Sequence, residues 1–525
     1  MLLLRLRAMS VAPLELATGR GAWQRRLRSA MVAAATSDWA GPLAVTAAGG
    51  AVRFWRLTTP RSLVSDEFYY VPDAYGILRH GAEVNHQADA PALLLRGSTN
   101  ILGTGGEFVA HPPLGKILIA AGEWIFGLTP FGWRFAAAVV GTLAILMTAR
   151  IARRMTGSTL LGCVAGLLMA ADGLEFVMSR VAMLDIFLMF WILAAFGCLV
   201  LDRDQWLARI GRLREAADDT AWPLLPQGVR WWRVLAGACI GLACATKWDG
   251  LWYLPAFACL AIGWDVTAIG RAGLARPVRT TLRRAARWVP GTFVLVPAVT
   301  YVASWSGWFG STVGYDRDWA AQHGNHVLIW SAVDSFYHDT RDILHYGIAL
   351  VGTPQSAPWT WLALTRPMTF YLQSTKACTG SRCRQQSVQQ ILAIGTPLIW
   401  WAAISALVVC LGWWLASRDW RAGAVVLAML AGWLPWTWFA WHGNRVVYSF
   451  YAVAFEPFLI LAITLCLSLL LRAARGRRRR ISLAAIGIYV VAAVGNFAFL
   501  YPILTAASLS QSAWLARMWL PGWRL

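Results

Sequence analysis

The stretch MLDIFLMFWILAAFGCLVL, residues 183–201, contains a single charged side chain, Asp185. As a helix it would extend for about 30 Å, which is the thickness of the hydrocarbon core of a bilayer. Comparable apolar runs recur along the chain. Of its 525 residues, 58% are hydrophobic and only 14% are charged, whereas a soluble domain is about one-quarter charged. The sequence therefore predicts an all-α polytopic membrane protein.

Eleven apolar segments are predicted to cross the membrane. They are residues 41–55, 133–151, 160–176, 183–201, 232–246, 251–269, 289–305, 391–415, 422–441, 446–471 and 481–504. A twelfth candidate, 112–127, is interrupted by Lys116 and Glu123. We interpret it as a short helix at the outer membrane interface.

Clusters of arginine predict the orientation of these spans. The clusters lie at residues 150–154, 203–214, 271–287 and 472–480. All four can be cytoplasmic, together with a basic N-terminal tail, only if 112–127 does not cross. The N-terminus is expected to be cytoplasmic and not a signal peptide, and the C-terminus extracytoplasmic.

This orientation divides the chain into predicted regions. They are a cytoplasmic tail at 1–38, a first membrane module at 39–305 that includes an outer loop at 58–111, a large outer loop at 306–390, a four-helix module at 391–504 and an outer tail at 505–525. Ordered loops of this length are uncommon unless they are functional. We therefore expect the chemistry to take place at the outer face.

The net charge of +21 does not indicate a nucleic-acid partner. Much of it lies in short basic connections of the kind that face the cytoplasm. The 32 tryptophans are typical of a protein with extensive membrane interfaces. The expected surroundings are membrane lipid.

An acidic pair, Asp66-Glu67, follows the first span and precedes Phe68-Tyr69-Tyr70. A carboxylate beside aromatic residues at a membrane mouth is a candidate general base next to a platform for a sugar or lipid headgroup. The alternative is an ordinary solvated loop start, since two adjacent acids are a weak motif.

Further polar residues fall on the same predicted face. They are Arg134, Arg180, Asp185, Lys247, Trp248 and Arg445 in short turns, and His111 and Lys116 around a helix start at Pro112-Pro113. Converging cations suit a lipid-linked phosphate. Each could also be a loop charge or a side chain that reaches the interface. No P-loop, HExxH or Rossmann-type pattern offers another chemistry.

These stretches resemble the protein O-mannosyltransferases of the bacterial, actinobacterial type, glycosyltransferase family 39, which have the GT-C membrane fold. The matching stretches are Asp66-Glu67 with Tyr69-Tyr70, His111 to Lys116, Arg134, Ser179 to Asp185, Lys247-Trp248, His338-Asp339-Thr340-Arg341, and Arg445 with Phe450 to Val453. Their order matches the family over most of the chain. One departure is Ser65, where the family usually has Phe before the acidic pair.

The resemblance implies a GT-C bundle of about eleven transmembrane helices with juxtamembrane helices in the first outer loop. It also implies a polyprenyl phosphate mannose donor and a Ser or Thr hydroxyl acceptor on a secreted or membrane protein. The second outer loop has no room for the β-trefoil domain of fungal members, which favours the bacterial form.

The implied reaction is an inverting single displacement. Asp66 is the implied base, and Glu67 orients the site or the acceptor. Arg134 is the first candidate for the donor phosphate, with Arg445, Lys116 and Lys247 unranked behind it. Tyr70, His111, Arg180, Asp185, Trp248, His338 and Arg341 are further candidates. No cofactor and no metal ligand are expected, although the need for a divalent metal stays open.

Two other functions remain possible from the sequence. A related GT-C enzyme would glycosylate a lipid or a polysaccharide with the same cations around its donor. A transporter would place charges at the membrane midplane in repeated halves, and neither pattern is evident.

Cys378 and Cys383 are predicted to form a disulfide in the outer loop. Seven of the nine cysteines lie in apolar segments, whereas these two bracket a short polar turn. An oxidising outer compartment would permit the bond.

Overall fold

A computed structural model describes residues 38–216, 228–274, 276–349, 352, 355–379, 382–442 and 445–524. The predicted cytoplasmic tail therefore lies almost wholly outside the described residues. The fold is helical, with two separate antiparallel hairpins.

The first part of the chain contains twelve helices and one small hairpin in the described residues. In order these are α1 (Ala40–Phe54), α2 (Glu67–His80), β1 (Val84–His86), α3 (Ala90–Leu95), β2 (Leu102–Gly106), α4 (Leu114–Phe126), α5 (Pro130–Thr156), α6 (Thr159–Ala170), α7 (Gly173–Met178), α8 (Leu184–Ala216), α9 (Trp231–Thr246), α10 (Tyr253–Arg271), α11 (Pro277–Val289) and α12 (Val296–Ser304). A π-helical turn, Pro290–Leu295, joins α11 to α12.

The second part begins with an outer region and ends with four long helices and a short one. In order these are α13 (Ser306–Gly310), α14 (Trp319–Gln322), α15 (Leu328–Ala349), β3 (Met368–Thr379), β4 (Arg382–Ala393), α16 (Pro397–Ser417), α17 (Trp420–His442), α18 (Glu456–Ala473), α19 (Gly476–Leu504) and α20 (Gln511–Leu515).

Every predicted span overlaps a helix, but the predicted number of crossings is not confirmed. Among the described residues, seven helices are long and apolar enough to cross a membrane: α5, α8, α10 with the turn before it, α16, α17, α18 and α19. The others are shorter, as α6 and α9 illustrate. The segment 112–127 forms α4, whose 13 residues extend about 20 Å and do not cover the hydrocarbon core. The orientation of the termini stays a prediction.

Two predicted spans have different bounds from those expected. The segment 160–176 is interrupted because Asp172 caps α7, accepting hydrogen bonds from the backbone N–H of Leu174 and of Thr396. The segment 391–415 begins in β4, and its helix starts only at Pro397. In the first segment the Asp172 carboxylate, and in the second the pairing of β4, provides backbone hydrogen bonds where a continuous helix was expected.

The described residues of 306–390, which the sequence predicts to be an outer loop, are folded. β3 and β4 pair along their length from Met368↔Ala393 to Thr379↔Arg382. In this register Cys378 lies opposite Cys383, but the side chains of both lie outside the described part of the chain. The disulfide therefore stays a prediction, as do the domain bounds.

Glycines allow close packing where helices cross near the middle of the bundle. A Cβ at Gly237 or Gly241 of α9 would collide with Thr292 or Thr300 of the facing segment. Small residues at such contacts are typical of membrane bundles. In lipid no hydrophobic effect brings helices together, so their association depends on close van der Waals packing. α9 is thus fixed against the π-helical turn and α12. On another side it packs against α8, and together α8 and α9 present Asp185 and Lys247 at one end of the bundle.

Candidate active site

Asp66 lies at the N-terminus of α2, and its side chain makes no cap hydrogen bond to the helix. Among the described residues, the one hydrogen bond to this carboxylate is a long one of 3.5 Å from the Tyr70 hydroxyl, one turn along α2. Ser65, immediately before it, has a positive φ of 51°, which is a strained conformation for a residue with a side chain. The chain therefore turns sharply to present Asp66.

Burial raises the pKa of Asp66 above the usual value for an aspartate. Lys247 lies near enough to oppose this shift, whereas Asp185 reinforces it. A carboxylate with a raised pKa and few partners is a stronger proton acceptor than a solvated one. These are the properties that a general base requires.

Glu67 is buried and fully occupied by protein groups. Its two oxygens accept a bidentate pair of hydrogen bonds from Arg134, each 2.8 Å long. They also accept the backbone N–H groups of Val64, at 2.9 Å, and Ala182, at 3.0 Å. Glu67 therefore ties α2 to α5 and to the turn before α8, and has no oxygen left for a substrate.

Arg134, the first candidate for the donor phosphate, is bound to protein groups in the structure. Besides binding Glu67, its guanidinium donates to the carbonyl oxygens of Leu57, Pro60 and Ser62, at 3.2, 2.7 and 3.0 Å. The side chain is 1% exposed. Because all of its donor nitrogens face protein acceptors, we assign Arg134 to holding the segment that carries Asp66.

Arg180 has a similar structural place. It donates to the carbonyl oxygens of Val52, Trp55 and Arg56, at 3.3, 2.8 and 3.0 Å. These carbonyls end α1, where backbone acceptors have no partner within the helix. Arg180 thus closes the end of α1 and does not contact the site.

Lys247 lies in the site, held between acids and an aromatic ring. Its ammonium group is 2.9 Å from Asp185 and 3.9 Å from Asp249, and it lies 4.1 Å from the ring centroid of Tyr451. The other oxygen of Asp185 has no hydrogen-bond partner in the described structure. Lys247 is thus a buried cation whose position is set by the end of α9, which it caps, and by Asp185 of α8 before any ligand binds.

Arg445 provides the least occupied cation of the site. Its guanidinium packs over Trp436, at 4.9 Å, and Phe439, at 5.7 Å. Its buried Nε has no hydrogen-bond partner among the described residues. Together with Lys247, His111, Trp248 and Tyr451 it lines a cavity of about 170 Å³. This cavity is suited to an anion beside apolar walls.

His111 and Tyr70 connect this cavity to Asp66. Their rings lie 6.3 Å apart. Burial, with the nearby charges of Lys247, Lys116 and Arg445, lowers the pKa of His111 well below its usual value. His111 is therefore neutral, and it can donate or accept a hydrogen bond without adding charge.

Lys116 is enclosed beside the cavity. It binds Glu83 at 2.7 Å and Asp73 at 3.6 Å, and is 1% exposed. Burial raises the pKa of Asp73 to about 7, against the opposing effect of Lys116. Lys116 therefore holds α2 and α4 together, and its charge is already balanced by carboxylates.

The remaining candidates lie in helix α15 or along the cavity wall. Trp248 lines the cavity and donates a hydrogen bond of 3.2 Å to the Tyr301 hydroxyl. His338 stacks on Trp319 and lies 3.4 Å from Asp316 and 3.7 Å from Asp342. Arg341 is exposed.

Asp316, His338 and Asp342 could offer three ligands to a metal ion. Their ligand atoms lie within 4.8 Å of one another, in the outer region. Ion pairing of His338 with the two acids accounts for this cluster equally well. The expectation that the enzyme needs no metal cofactor stays a prediction.

Several residues of the site were not singled out from the sequence. Asp73 follows Asp66 by seven residues, so a helical reading of 67–80 would have placed both on one face. Asp339, next to His338, is fully buried, with no partner for either oxygen among the described residues. Tyr451 gave no signal beyond its place in the matching C-terminal stretch.

The fold and this site together define a membrane glycosyltransferase of the GT-C class. The S. cerevisiae protein O-mannosyltransferase complex bound to its sugar donor has the same fold, with a TM-score of 0.68, 13% sequence identity, and coverage of 93% of this chain and 92% of that one. The predicted GT-C fold is thereby confirmed, although the number of helices is not.

Sequence comparison gives the family. Residues 43–303 match the family model described as dolichyl-phosphate-mannose-protein mannosyltransferase, PMT. A polyprenol-phosphate-mannose–protein mannosyltransferase of Mycolicibacterium smegmatis is 37% identical over 510 residues, which is 93% of each chain. One of Mycobacterium tuberculosis is 38% identical over 486 residues, covering 89% of this chain and 88% of that one.

The chain belongs to the PMT family of mannosyltransferases. The predicted family and the prediction that the protein is an enzyme are confirmed, and the transporter alternative is wrong.

Proposed function

We propose that the protein transfers mannose from polyprenyl phosphate mannose to Ser or Thr hydroxyls of proteins at the outer face of the cell membrane. Its relatives' names supply the donor and the protein acceptor. The single observation that supports the mechanism is the position of Asp66, uncommitted and close to Lys247, beside a cavity that also contains Arg445.

Asp66 acts as the base in a single displacement. Its carboxylate removes the proton of the acceptor hydroxyl while that oxygen attacks the anomeric carbon of mannose. The bond between this carbon and the phosphate oxygen breaks, and polyprenyl phosphate leaves with the electron pair. A phosphate is a weak base, so no general acid is needed, whereas a hydroxyl is a poor nucleophile and needs a base. The configuration at the anomeric carbon inverts.

Arg445 is the first contact for the departing phosphate, and Lys247 the second. Arg445 has an unpartnered nitrogen and a planar group that suits a phosphate. Lys247 is less free because Asp185 already binds it. Both cations are held before the reaction, so they stabilise the charge that develops as the bond breaks without reorganising.

The acceptor is expected to approach from the side of Tyr448. This residue lies within electrostatic range of Asp66 and lines a cavity of about 190 Å³ with Ser356 and Thr369. Polar hydroxyl and backbone groups suit a peptide better than a second lipid. This favours a protein acceptor over the lipid or polysaccharide acceptors of related enzymes.

A direct assay tests the proposed reaction. Membranes containing the protein should transfer label from polyprenyl phosphate mannose to a Thr- and Pro-rich peptide, and not to the same peptide with every Ser and Thr replaced by Ala. Label that appears only in lipid or polysaccharide would contradict the protein acceptor. Retention of the donor's anomeric configuration in the product would contradict the single displacement.

Replacing Arg445 tests the phosphate contact. Arg445→Gln is expected to lower kcat/KM for the donor by about 10²-fold, because one charge-assisted contact in a water-poor site is lost. Arg445→Lys should recover part of this, since it restores charge but not the planar geometry.

The matched control is Arg96→Gln, an exposed arginine at the end of α3 in the loop that is predicted to be outer. It should leave donor kinetics unchanged. Equal donor kinetics in Arg445→Gln and the wild type would place the phosphate elsewhere, with Lys247 next to be tested.

A further inference from the structure

A second and larger cavity lies at the far end of the helices that form the active site. Its volume is about 520 Å³, and it lies between α10, α16 and α17, beside the middle of α8. α10 begins next to Lys247, whereas Gly263 to Arg271 at its other end line this cavity. α17 runs in the opposite direction, with Phe439 at the site and Trp420 here. By the predicted orientation this end faces the cytoplasm.

The mouth of this cavity carries three arginines and three tryptophans. These are Arg203, Arg271 and Arg418 with Trp264, Trp414 and Trp420. The guanidinium of Arg203 lies 3.8 Å from the ring centroid of Trp420, and that of Arg418 lies 4.9 Å from that of Trp414. Below them the walls are apolar and include Leu260, Leu427 and Leu430.

These arginines share few carboxylates in comparison with their neighbours. Asp419 lies within electrostatic range of Arg203, but it already binds Arg421 at 2.6 Å. Arg230 and Arg233 form a closed network with Asp202 and Asp265, at distances of 2.6 to 2.9 Å. By contrast, Arg271 and Arg418 have no carboxylate partner in the described part of the chain. Arg203 contacts Asp204 at 3.1 Å, but that acid also binds Arg154 at 2.6 Å.

Two glycines shape the channel below the arginines. A Cβ at Gly263 of α10 would have no heavy atom within 4 Å, so the space beside it is open. A Cβ at Gly423 of α17 would collide with Trp414, so this glycine allows the indole to lie against the helix as a wall. The cavity is therefore a charged rim above an open apolar channel.

We propose that this cavity binds an anionic phospholipid, with its phosphate at Arg203, Arg271 and Arg418 and an acyl chain in the channel beside Gly263. A free phosphate would make no contact with the apolar walls, and a neutral lipid would bring no negative charge to the three arginines. Basic pockets between transmembrane helices at the cytoplasmic side are suited to such headgroups. The donor's phosphate belongs at the opposite end, near Arg445, so this is a second lipid site.

Lipid retention on the full-length protein tests the proposal. Protein purified in detergent is mixed with phosphatidylglycerol or phosphatidylcholine, and bound lipid is measured by native mass spectrometry. Phosphatidylglycerol should be retained and phosphatidylcholine should not. Arg271→Gln should weaken phosphatidylglycerol binding about five-fold, and Arg271→Gln with Arg418→Gln about 30-fold.

The control is Arg478→Gln with Arg479→Gln, which removes the same charge at the exposed start of α19. It should retain phosphatidylglycerol as the wild type does. If the control and the cavity variants lost phosphatidylglycerol binding equally, the binding would depend only on the total positive charge of the protein. This result would overturn the proposed site.

A variant that leaves the charges intact tests the channel separately. Gly263→Leu fills the open space beside α10 and should reduce phosphatidylglycerol binding while leaving the protein folded. Glycerophosphoglycerol, which has the headgroup but no chains, should not compete. Competition by this headgroup, or unchanged phosphatidylglycerol binding in Gly263→Leu, would each overturn the proposal.

Discussion

Asp66→Asn is expected to lower mannose transfer by about 10²–10⁴-fold, the usual contribution of a positioned general base. The substitution keeps the shape of the side chain but removes its ability to accept the proton of the acceptor hydroxyl. The fold should be unaffected, because within the described structure the carboxylate accepts only the long hydrogen bond from Tyr70. Donor binding should persist, since Arg445 and Lys247 are untouched. Initial rates at saturating donor and acceptor, with donor binding measured separately, check both expectations.

The pH dependence gives a second readout of the same group. Asp66 must be ionised to act, so the wild-type rate should fall as pH falls through its pKa. Since burial raises this pKa, the fall should begin at a higher pH than for an ordinary aspartate. The residual rate of Asp66→Asn should lack this acid limb.

Asp89→Asn is the matched control, because Asp89 is an exposed acid of the same outer loop that precedes α3. It should behave as the wild type. A wild-type rate in Asp66→Asn would remove Asp66 from the mechanism.

Arg134→Met is expected to destabilise the protein strongly, by about 3–5 kcal/mol, because it leaves Glu67 buried without a counter-charge. Three loop carbonyls would also lose their donor. Thermal unfolding of the purified protein in detergent should show a clear drop in Tm. Among molecules that remain folded, KM for the donor should change little.

Combining Arg134→Met with Glu67→Gln should recover part of the lost stability. The amide of Gln keeps an acceptor for the backbone N–H of Ala182 while removing the buried charge. Arg79→Ala, at the exposed end of α2, serves as a control with little effect. Unchanged Tm together with a raised donor KM in Arg134→Met would restore Arg134 to the phosphate site.

The class of the protein and most residues of the candidate site were predictable from local sequence. Apolar runs such as 183–201 fix the membrane class because each must be buried in lipid or in other helices. Asp66 was identified because an acid at the end of a span is costly unless it has a use. The same reasoning selected Lys247 and Arg445, which line one cavity in the structure.

Partners distant in sequence could not be predicted from it. Arg134 and Glu67 are 67 positions apart, and nothing local indicates that they neutralise each other. Asp172 interrupts a predicted span because it meets Thr396 and Trp400, more than 220 positions away. The β3–β4 hairpin is rich in polar residues, so hydrophobic alternation gave no sign of it. In each case the determining contact is tertiary.

The length of α8 has a consequence for how the enzyme sits in its membrane. Asp185, in the first turn, and Arg203 are 18 residues apart on one continuous helix, so about 27 Å separates them along its axis. This is close to the thickness of the hydrocarbon core, and charges at both ends resist entering it. The apolar length of α8 therefore fixes the bilayer thickness to which the enzyme is matched. A thinner or thicker bilayer would have to deform around it, or tilt a helix that also positions Lys247.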